Sequence, residues 1–308
     1  MRSWISAAVV GVVLALLPFA VGSYILGLLV FGFYYAVFAM SWDLLFGFAG
    51  EVNFGPSFLI GVGAYAAALL NHYFNTPIPL CLVAAAVAAV VAGLILAVPA
   101  LRLTGPYFGL ITLVAVLLLQ TFIVLYSGIT GGEIGLDLPD VFANGEVRAN
   151  YWIALAFMSI SGAILFGLSR SAVGLILQAS GQDRIEAAAL GYNVTKHKLA
   201  AFCISALFSG LAGAMLIFSQ GTASVGLVVD IAVGVQAIIG AVLGGRRTIF
   251  GAAIGAIFLV AAQELLRPLG QLSIFVVSAF ALLVILFFPG GFLGAVGALG
   301  GVLGRSAR

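Results

Sequence analysis

Residues 80–101 read LCLVAAAVAAVVAGLILAVPAL, twenty-two positions without a charged or amide side chain. A hydrocarbon slab about 30 Å thick takes roughly 20 apolar residues per helical crossing, so this stretch has the length and composition of a transmembrane helix. The chain around it is of the same kind. Of its 308 residues 64% are hydrophobic and 7% charged, against roughly 25% charged in soluble domains, which excludes an ordinary water-soluble enzyme. Apolar runs at 4–22, 24–42, 55–72, 80–101, 107–126, 151–168, 199–220, 231–245, 249–266 and 272–288 give ten candidate crossings in a single integral-membrane domain, 1–308. The expected fold class is all-α, a polytopic transmembrane helical bundle.

The net charge of +2 says little, because in a membrane the placement of charge matters more than its sum. Starting from a cytoplasmic N-terminus, Arg2, Arg102, Arg170, Arg184, Lys196, Lys198, Arg246, Arg247, Arg305 and Arg308 fall inside, and only Arg148 and Arg267 outside. That split follows the positive-inside rule, and a shift of one span would reverse it. Both termini are therefore expected in the cytoplasm. The 127–150 segment, with Glu133, Asp137, Asp140 and Glu146 against Arg148, is expected as a loop on the far side, and 169–198 as the longest polar cytoplasmic stretch. Met1 to Gly22 has the outline of a secretory signal, but retaining it as the first crossing is what makes the inside and outside counts close. The sequon Asn193-Val194-Thr195 falls in the cytoplasmic stretch and is read as a chance match.

Many of the forty glycines lie within apolar runs. Gly105/Gly109, Gly240/Gly244, Gly251/Gly255 and the series Ser205, Ser209, Gly213 are spaced by four, the pattern that lets helices approach closely in lipid. The segments 50–55 and 245–251 echo each other, each polar and each followed by a Gly/Ala-rich run, which is compatible with a duplicated chain. Gly61-Val62-Gly63-Ala64-Tyr65-Ala66 fits a dinucleotide fingerprint but lies inside an apolar run with no strand before it. No phosphate-cradling G-x-x-x-x-G-K-[ST] occurs, so any ATP would be bound by another polypeptide. His72 and His197 fall on opposite sides, Cys81 and Cys203 are far apart, and no His/Cys pattern of metal spacing or nucleophile-base pair is visible. No catalytic residue, metal site or cofactor is expected in this chain, and no basic patch with interleaved aromatics points to nucleic acid.

Two segments carry the functional signal. Asp43, Glu51 and Asn53 sit among Gly47, Gly50, Gly55 and Pro56, where one continuous helix cannot form. At membrane depth such carboxylates are costly and would face a cavity; the alternative is a cytoplasmic loop, against which stand Phe46, Phe48, Val52 and Phe54. Gln120 and Gln236 face either a pathway or a neighbouring helix. In 169–198, Asp183 followed by Glu186 forms an acidic capping box, Arg184 to Leu190 makes about two turns, and Gly191 supplies a left-handed stop. Ile185, Ala188, Ala189 and Leu190 give this helix an apolar side that could dock into a groove of a soluble partner or lie on the membrane surface.

These segments resemble the LivM/LivH family, the permease subunits of ABC importers for branched-chain amino acids. Family members carry a stretch like G-Y-A-G-Q-x-S-x-G-H-A-A-F-x-G-I-G-A-Y; Gly47 to Tyr65 of this chain follows it. The family's coupling loop is similar to Gly181 to Phe202, with Ala187-Ala188-Ala189-Leu190-Gly191-Tyr192-Asn193-Val194 in register. Arg102 to Tyr107, Thr130-Gly131-Gly132 and Leu243-Gly244-Gly245 also look like family landmarks. The resemblance implies a second related permease chain, two cytoplasmic ATPase subunits carrying ATP and Mg, and a periplasmic or lipid-anchored substrate-binding protein, in a bacterial inner membrane. The expected substrate pathway runs along Asp43, Glu51, Asn53, Phe54, Tyr65 and Gln120. The resemblance also implies an ATPase-coupling element made of Asp183, Arg184, Glu186, Leu190, Gly191 and Tyr192. Pro56 stands where a His is frequent, so urea, amides or other amino acids stay open as substrates; Glu51 stands where Gln is usual, and Gln178 to Gln182 lacks the usual basic residues, which implies a differently charged ATPase groove. The rival expectation is a stand-alone secondary transporter or channel with Asp43 or Glu51 as its coupling carboxylate.

Overall fold

The computed structural model describes residues 14–103, 105–139 and 147–270, with single positions at 272, 276, 279 and 283. Ten helices account for most of them: α1 Ser23–Asp43, α2 Pro56–Phe74, α3 Ile78–Ala100, α4 Pro106–Leu125, α5 Val147–Arg170, α6 Ala172–Gln182, α7 Arg184–Ala189, α8 Val194–Gln220, α9 Ile231–Gly244 and α10 Ile249–Leu265. A five-residue π turn, Leu44–Phe48, continues α1. Seven helical segments are long and apolar enough to cross a membrane, and α10 is a shorter apolar helix of 17 residues. They match eight of the ten expected crossings. Most of the run 272–288, residues 4–13 of the run 4–22, and Asp140 and Glu146 of the far loop lie outside the described residues, as do Arg2, Arg305 and Arg308.

Proline marks the starts of three spans. Pro56, Pro79 and Pro106 stand in the first turns of α2, α3 and α4, where the missing N–H costs no helical bond and the fixed φ is already helical. α1 and α8 form the buried centre, with Phe33, Tyr34, Phe38 and Met40 of one and Phe202, Ala206, Ala212 and Ile217 of the other almost fully enclosed. The hairpin α2–α3 packs on α8, the hairpin α9–α10 packs on α1, and α1 packs on α8. α3, α4 and α5 lie outside this centre and turn outward stripes such as Val83, Val87, Val91, Ile95 and Leu110, Val114, Leu118. Those stripes are the lipid-facing surface of a multi-pass membrane protein, where packing rather than burial from water holds helices together.

Gly213, Gly240, Gly244 and Gly255 perform the expected close packing, whereas a Cβ on Gly105 would have nothing within 4 Å. A Cβ on Gly63 would run into the backbone of Gly210, so α2 and α8 cross with backbones nearly touching, and Gly240 and Gly244 of α9 meet Ala256, Gly251 and Gly255 of α10 in the same way. Gly63 belongs to the dinucleotide-like fingerprint, and its role in this fold is helix crossing. The two halves repeat an arrangement in which a hairpin packs on the other half's central helix. The echo of 50–55 and 245–251 does not mark equivalent positions in it: the first joins central helix α1 to a hairpin, the second joins the two arms of a hairpin.

Long-range bonds sort the helix ends. At one end Tyr73 Oη donates to Ile129 O at 2.8 Å, Leu138 N to Gly221 O at 3.0 Å and Asn150 Nδ2 to Ser219 Oγ at 2.8 Å. A two-residue antiparallel bridge pairs Leu136 with Ala223 and Asp137 with Thr222. The opposite end holds the end of α1, the starts of α2, α8 and α10, and helices α6 and α7. Arg102, Arg170, Arg184, Lys196, Lys198, Arg246 and Arg247 all belong to this second, basic end.

Candidate functional site

The basic end is organised around the connector between α1 and α2, residues 44–55. The π turn widens the end of α1, with Ala49 N donating to Leu44 O and Glu51 N to Leu45 O; such bulges are frequent at functional sites. Gly50 then reverses the chain at φ +73°. Asn53 rebuilds order: its Oδ1 accepts from Gly55 N at 2.8 Å and its backbone oxygen accepts from Trp42 Nε1 at 2.6 Å. Pro56 follows as the first residue of α2. The side chain and backbone of Asn53 thus satisfy groups that a broken helix would leave unpaired.

Four other elements grip this connector. Phe54 N donates to Thr112 Oγ1 of α4 at 3.0 Å, and the Phe54 ring lies against Gly109. Glu51 pairs with Lys198 Nζ, in the second turn of α8, at 2.7 Å; both side chains are largely buried. Gly50 meets Gly181 of α6 backbone to backbone. The α9–α10 turn closes the other side: Asp43 Oδ1 accepts from Arg247 N at 3.1 Å, Arg247 Nε donates to Gly47 O at 2.9 Å, and the Arg246 guanidinium lies 4.5 Å from the Phe46 ring centre.

Asp43, Glu51, Asn53 and Phe54 are therefore together, but as members of a packed joint. Asp43 and Asn53 are each 1% exposed, while Phe54 is 43% exposed. Tyr65 is buried farther along α2, and its hydroxyl has no hydrogen-bond partner among the described residues. Gln120 lines a separate hollow of about 420 Å³ with Thr121, Glu133 and Val225. The six expected pathway residues do not share one cavity in this structure. Sequence reading missed Lys198, Arg247, Trp42, Thr112 and Gly181, which hold the connector. Nothing in their local sequence singles them out.

The 183–193 segment stands outside the bundle. Asp183 Oδ1 accepts from Ile185 N at 2.7 Å and Glu186 N at 3.0 Å, capping α7. The reciprocal half of the box is absent, because Asp183 N already donates to Ala179 O at the end of α6. Gly191, at φ +89°, ends the helix. Gly191 N donates to Ala188 O and Tyr192 N to Ala187 O, the two bonds of a Schellman stop. Asn193 of the sequon caps α8 through Lys196 N at 3.0 Å. Ile185, Leu190 and Tyr192 are 80%, 74% and 44% exposed, so a short, doubly capped helix presents large apolar side chains away from the bundle.

A family model described as branched-chain amino acid transport system / permease component matches residues 24–289. The chain belongs to this family of permeases. LivM of Salmonella typhimurium, a high-affinity branched-chain amino acid transport system permease protein, is 29% identical over 288 residues that cover 84% of this chain and 67% of the relative. LivH of Escherichia coli is 27% identical over 285 residues, covering 84% and 91% of the two chains. BraD of Pseudomonas aeruginosa is 27% identical over 283 residues with the same coverage. No solved structure matches the chain significantly. The matched region contains both the connector and α7, so the joint and the exposed helix are parts of the permease domain that this family shares.

Proposed function

We propose that this permease is one membrane-spanning half of an ATP-driven importer for branched-chain amino acids, working by alternating access between two faces of an inner membrane. ATP and Mg would be held by two separate ATPase subunits at the basic, cytoplasmic end. A second related permease chain would complete the path, and a periplasmic or lipid-anchored binding protein would deliver substrate at the 127–150 end. Urea and amides remain within the substrate class, because a soluble binding protein would do much of the selecting. Both termini would be cytoplasmic, in keeping with the seven described basic residues at that end against Arg148 and Arg267 at the other.

The observation that carries this reading is α7. Three large apolar side chains, Ile185 on a six-residue helix at the basic end and Leu190 and Tyr192 just after it, form a surface suited to a hydrophobic groove on a soluble partner. Of the carboxylates that a stand-alone ion-coupled transporter would use, Glu51 is ion-paired with Lys198, and one oxygen of Asp43 accepts from Arg247 N. Leu190→Asp in the assembled transporter is expected to abolish co-purification with the ATPase and substrate uptake, with the permease still folded. Ion-coupled uptake by the purified chain alone in liposomes would overturn the reading.

A further inference from the structure

A cavity of about 540 Å³ opens between the last turn of α5, helix α6 and the first turn of α10. Ser169, Arg170, Gln178, Arg247 and Thr248 supply its polar lining, and Phe48, Phe166 and Phe250 its aromatic lining, the last two with ring centres 5.5 Å apart; no carboxylate lines it. Among the described residues Arg170 makes no ion pair and no hydrogen bond, and its guanidinium rests 5.2 Å from the Phe166 ring centre. Arg247 spends its backbone N and Nε on Asp43 and Gly47, so its terminal amino groups have no partner among the described residues. Thr248 precedes α10 but donates its hydroxyl back to Gly245 O instead of capping the helix. The first-turn N–H groups of Phe250 and Gly251, which line the cavity, are left for another acceptor.

Arg170 has no counter-charge among the described residues and Arg247 has only the buried Asp43 beside it, so with no carboxylate in its lining the hollow is electropositive. Phe166 and Phe250 are 39% and 47% exposed, so this hollow opens onto apolar surface at the end of two membrane helices, where headgroups meet acyl chains. Guanidinium forks match phosphate oxygens, and basic pockets between transmembrane helices suit anionic headgroups. We propose that this cavity binds the phosphate of an anionic phospholipid headgroup, with the acyl chains lying over Phe166 and Phe250. The site does not depend on how the permease is energised. A free phosphate offers the same anion without the chains, and the aromatic mouth favours the lipid.

The test uses the full chain in mild detergent, equilibrated with equal phosphatidylglycerol and phosphatidylcholine, with retained lipid counted by mass spectrometry after washing. Retention should favour phosphatidylglycerol by roughly fivefold or more per basic contact. Arg170→Gln should remove most of that preference and Arg170→Lys should keep part of it. Gln178→Glu, which adds a carboxylate to the lining without touching an arginine, should lower it as well. Arg102→Gln, at the same end but outside the cavity, should leave it unchanged. Equal retention of the two lipids, or an equal loss in Arg102→Gln and Arg170→Gln, would overturn the site. Displacement of the lipid by millimolar inorganic phosphate would assign the cavity to the free anion and overturn the lipid source.

Discussion

The connector 44–55 and helix α7 are both short polar interruptions at the basic end, yet they are held in opposite ways. α7 is built from neighbours: Asp183 caps residues two and three positions on, and the stop at Gly191 uses Ala187 and Ala188. The connector and Asp43 before it also have local bonds, but the partners that fix them to the bundle come from far along the chain, with Phe54 bonded across 58 positions, Glu51 across 147 and Asp43 across 204. A locally built helix keeps its shape when neighbouring elements move. A joint held by α4, α6, α8 and the α9–α10 turn registers any relative movement among them. α7 is joined directly to α6 and lies one tight turn from α8, the two helices that carry Gly181 and Lys198 to the connector.

The largest expected difference between the two lies in their glycines. A Cβ on Gly181 would sit 2.7 Å from Phe48 O and 3.0 Å from Ala49 C, backbone atoms that cannot move without opening the connector. Gly181→Val should therefore cost about 3 kcal/mol by overpacking. A Cβ on Gly191 meets nothing within 4 Å, so Gly191→Ala should cost only the left-handed backbone term, about 1 kcal/mol. Thermal unfolding in detergent, read by tryptophan fluorescence, separates them. Equal losses would mean that the connector is no more tightly held than α7.

The next difference concerns charge. Removing one partner of the Lys198–Glu51 pair strands the other in a largely buried site, so Lys198→Met should destabilise by about 3 kcal/mol. Replacing both, with Lys198→Met and Glu51→Leu, should restore stability to within about 1 kcal/mol of the parent, because apolar groups can substitute for a buried ion pair. A double variant as unstable as the single would show that the pair holds the joint through charge rather than by filling space.

This contrast also explains what the sequence could show. The spans were legible because each is a continuous apolar run, and eight of them reappear as helices. Asp183, Glu186 and Gly191 were legible because caps and left-handed stops are written within a few residues. Only the reciprocal bond of the capping box was misjudged, since α6 runs on into Asp183 and uses its N–H. The break at 43–55 was visible from its glycines and proline, but its environment was not. Whether Glu51 faces water or Lys198 depends on where α8 begins in space, and the Gly50–Gly181 contact depends on a crossing of two segments more than a hundred residues apart. The echo between 50–55 and 245–251 misled for a related reason. The two segments are alike because both turn the chain at the basic end, where Asp43 and Gly47 meet Arg247, and the repeated packing lies in the hairpins instead.

The smallest effect tests the independence of α7 itself. Asp183→Ala removes the acceptor for Ile185 N and Glu186 N, a loss of about 1 kcal/mol for an N-cap. Because α7 is exposed and makes few contacts with the spans, that loss should remain local: amide exchange at Ile185 and Glu186 should speed up roughly fivefold, as local opening free energies do, with the unfolding midpoint of the whole permease unchanged. Asp183→Asn keeps an acceptor oxygen and should restore most of the protection, which distinguishes a cap from an electrostatic role for the carboxylate. If Asp183→Ala instead lowered the global midpoint as far as Lys198→Met does, α7 would be part of the joint rather than a separate lever resting on it.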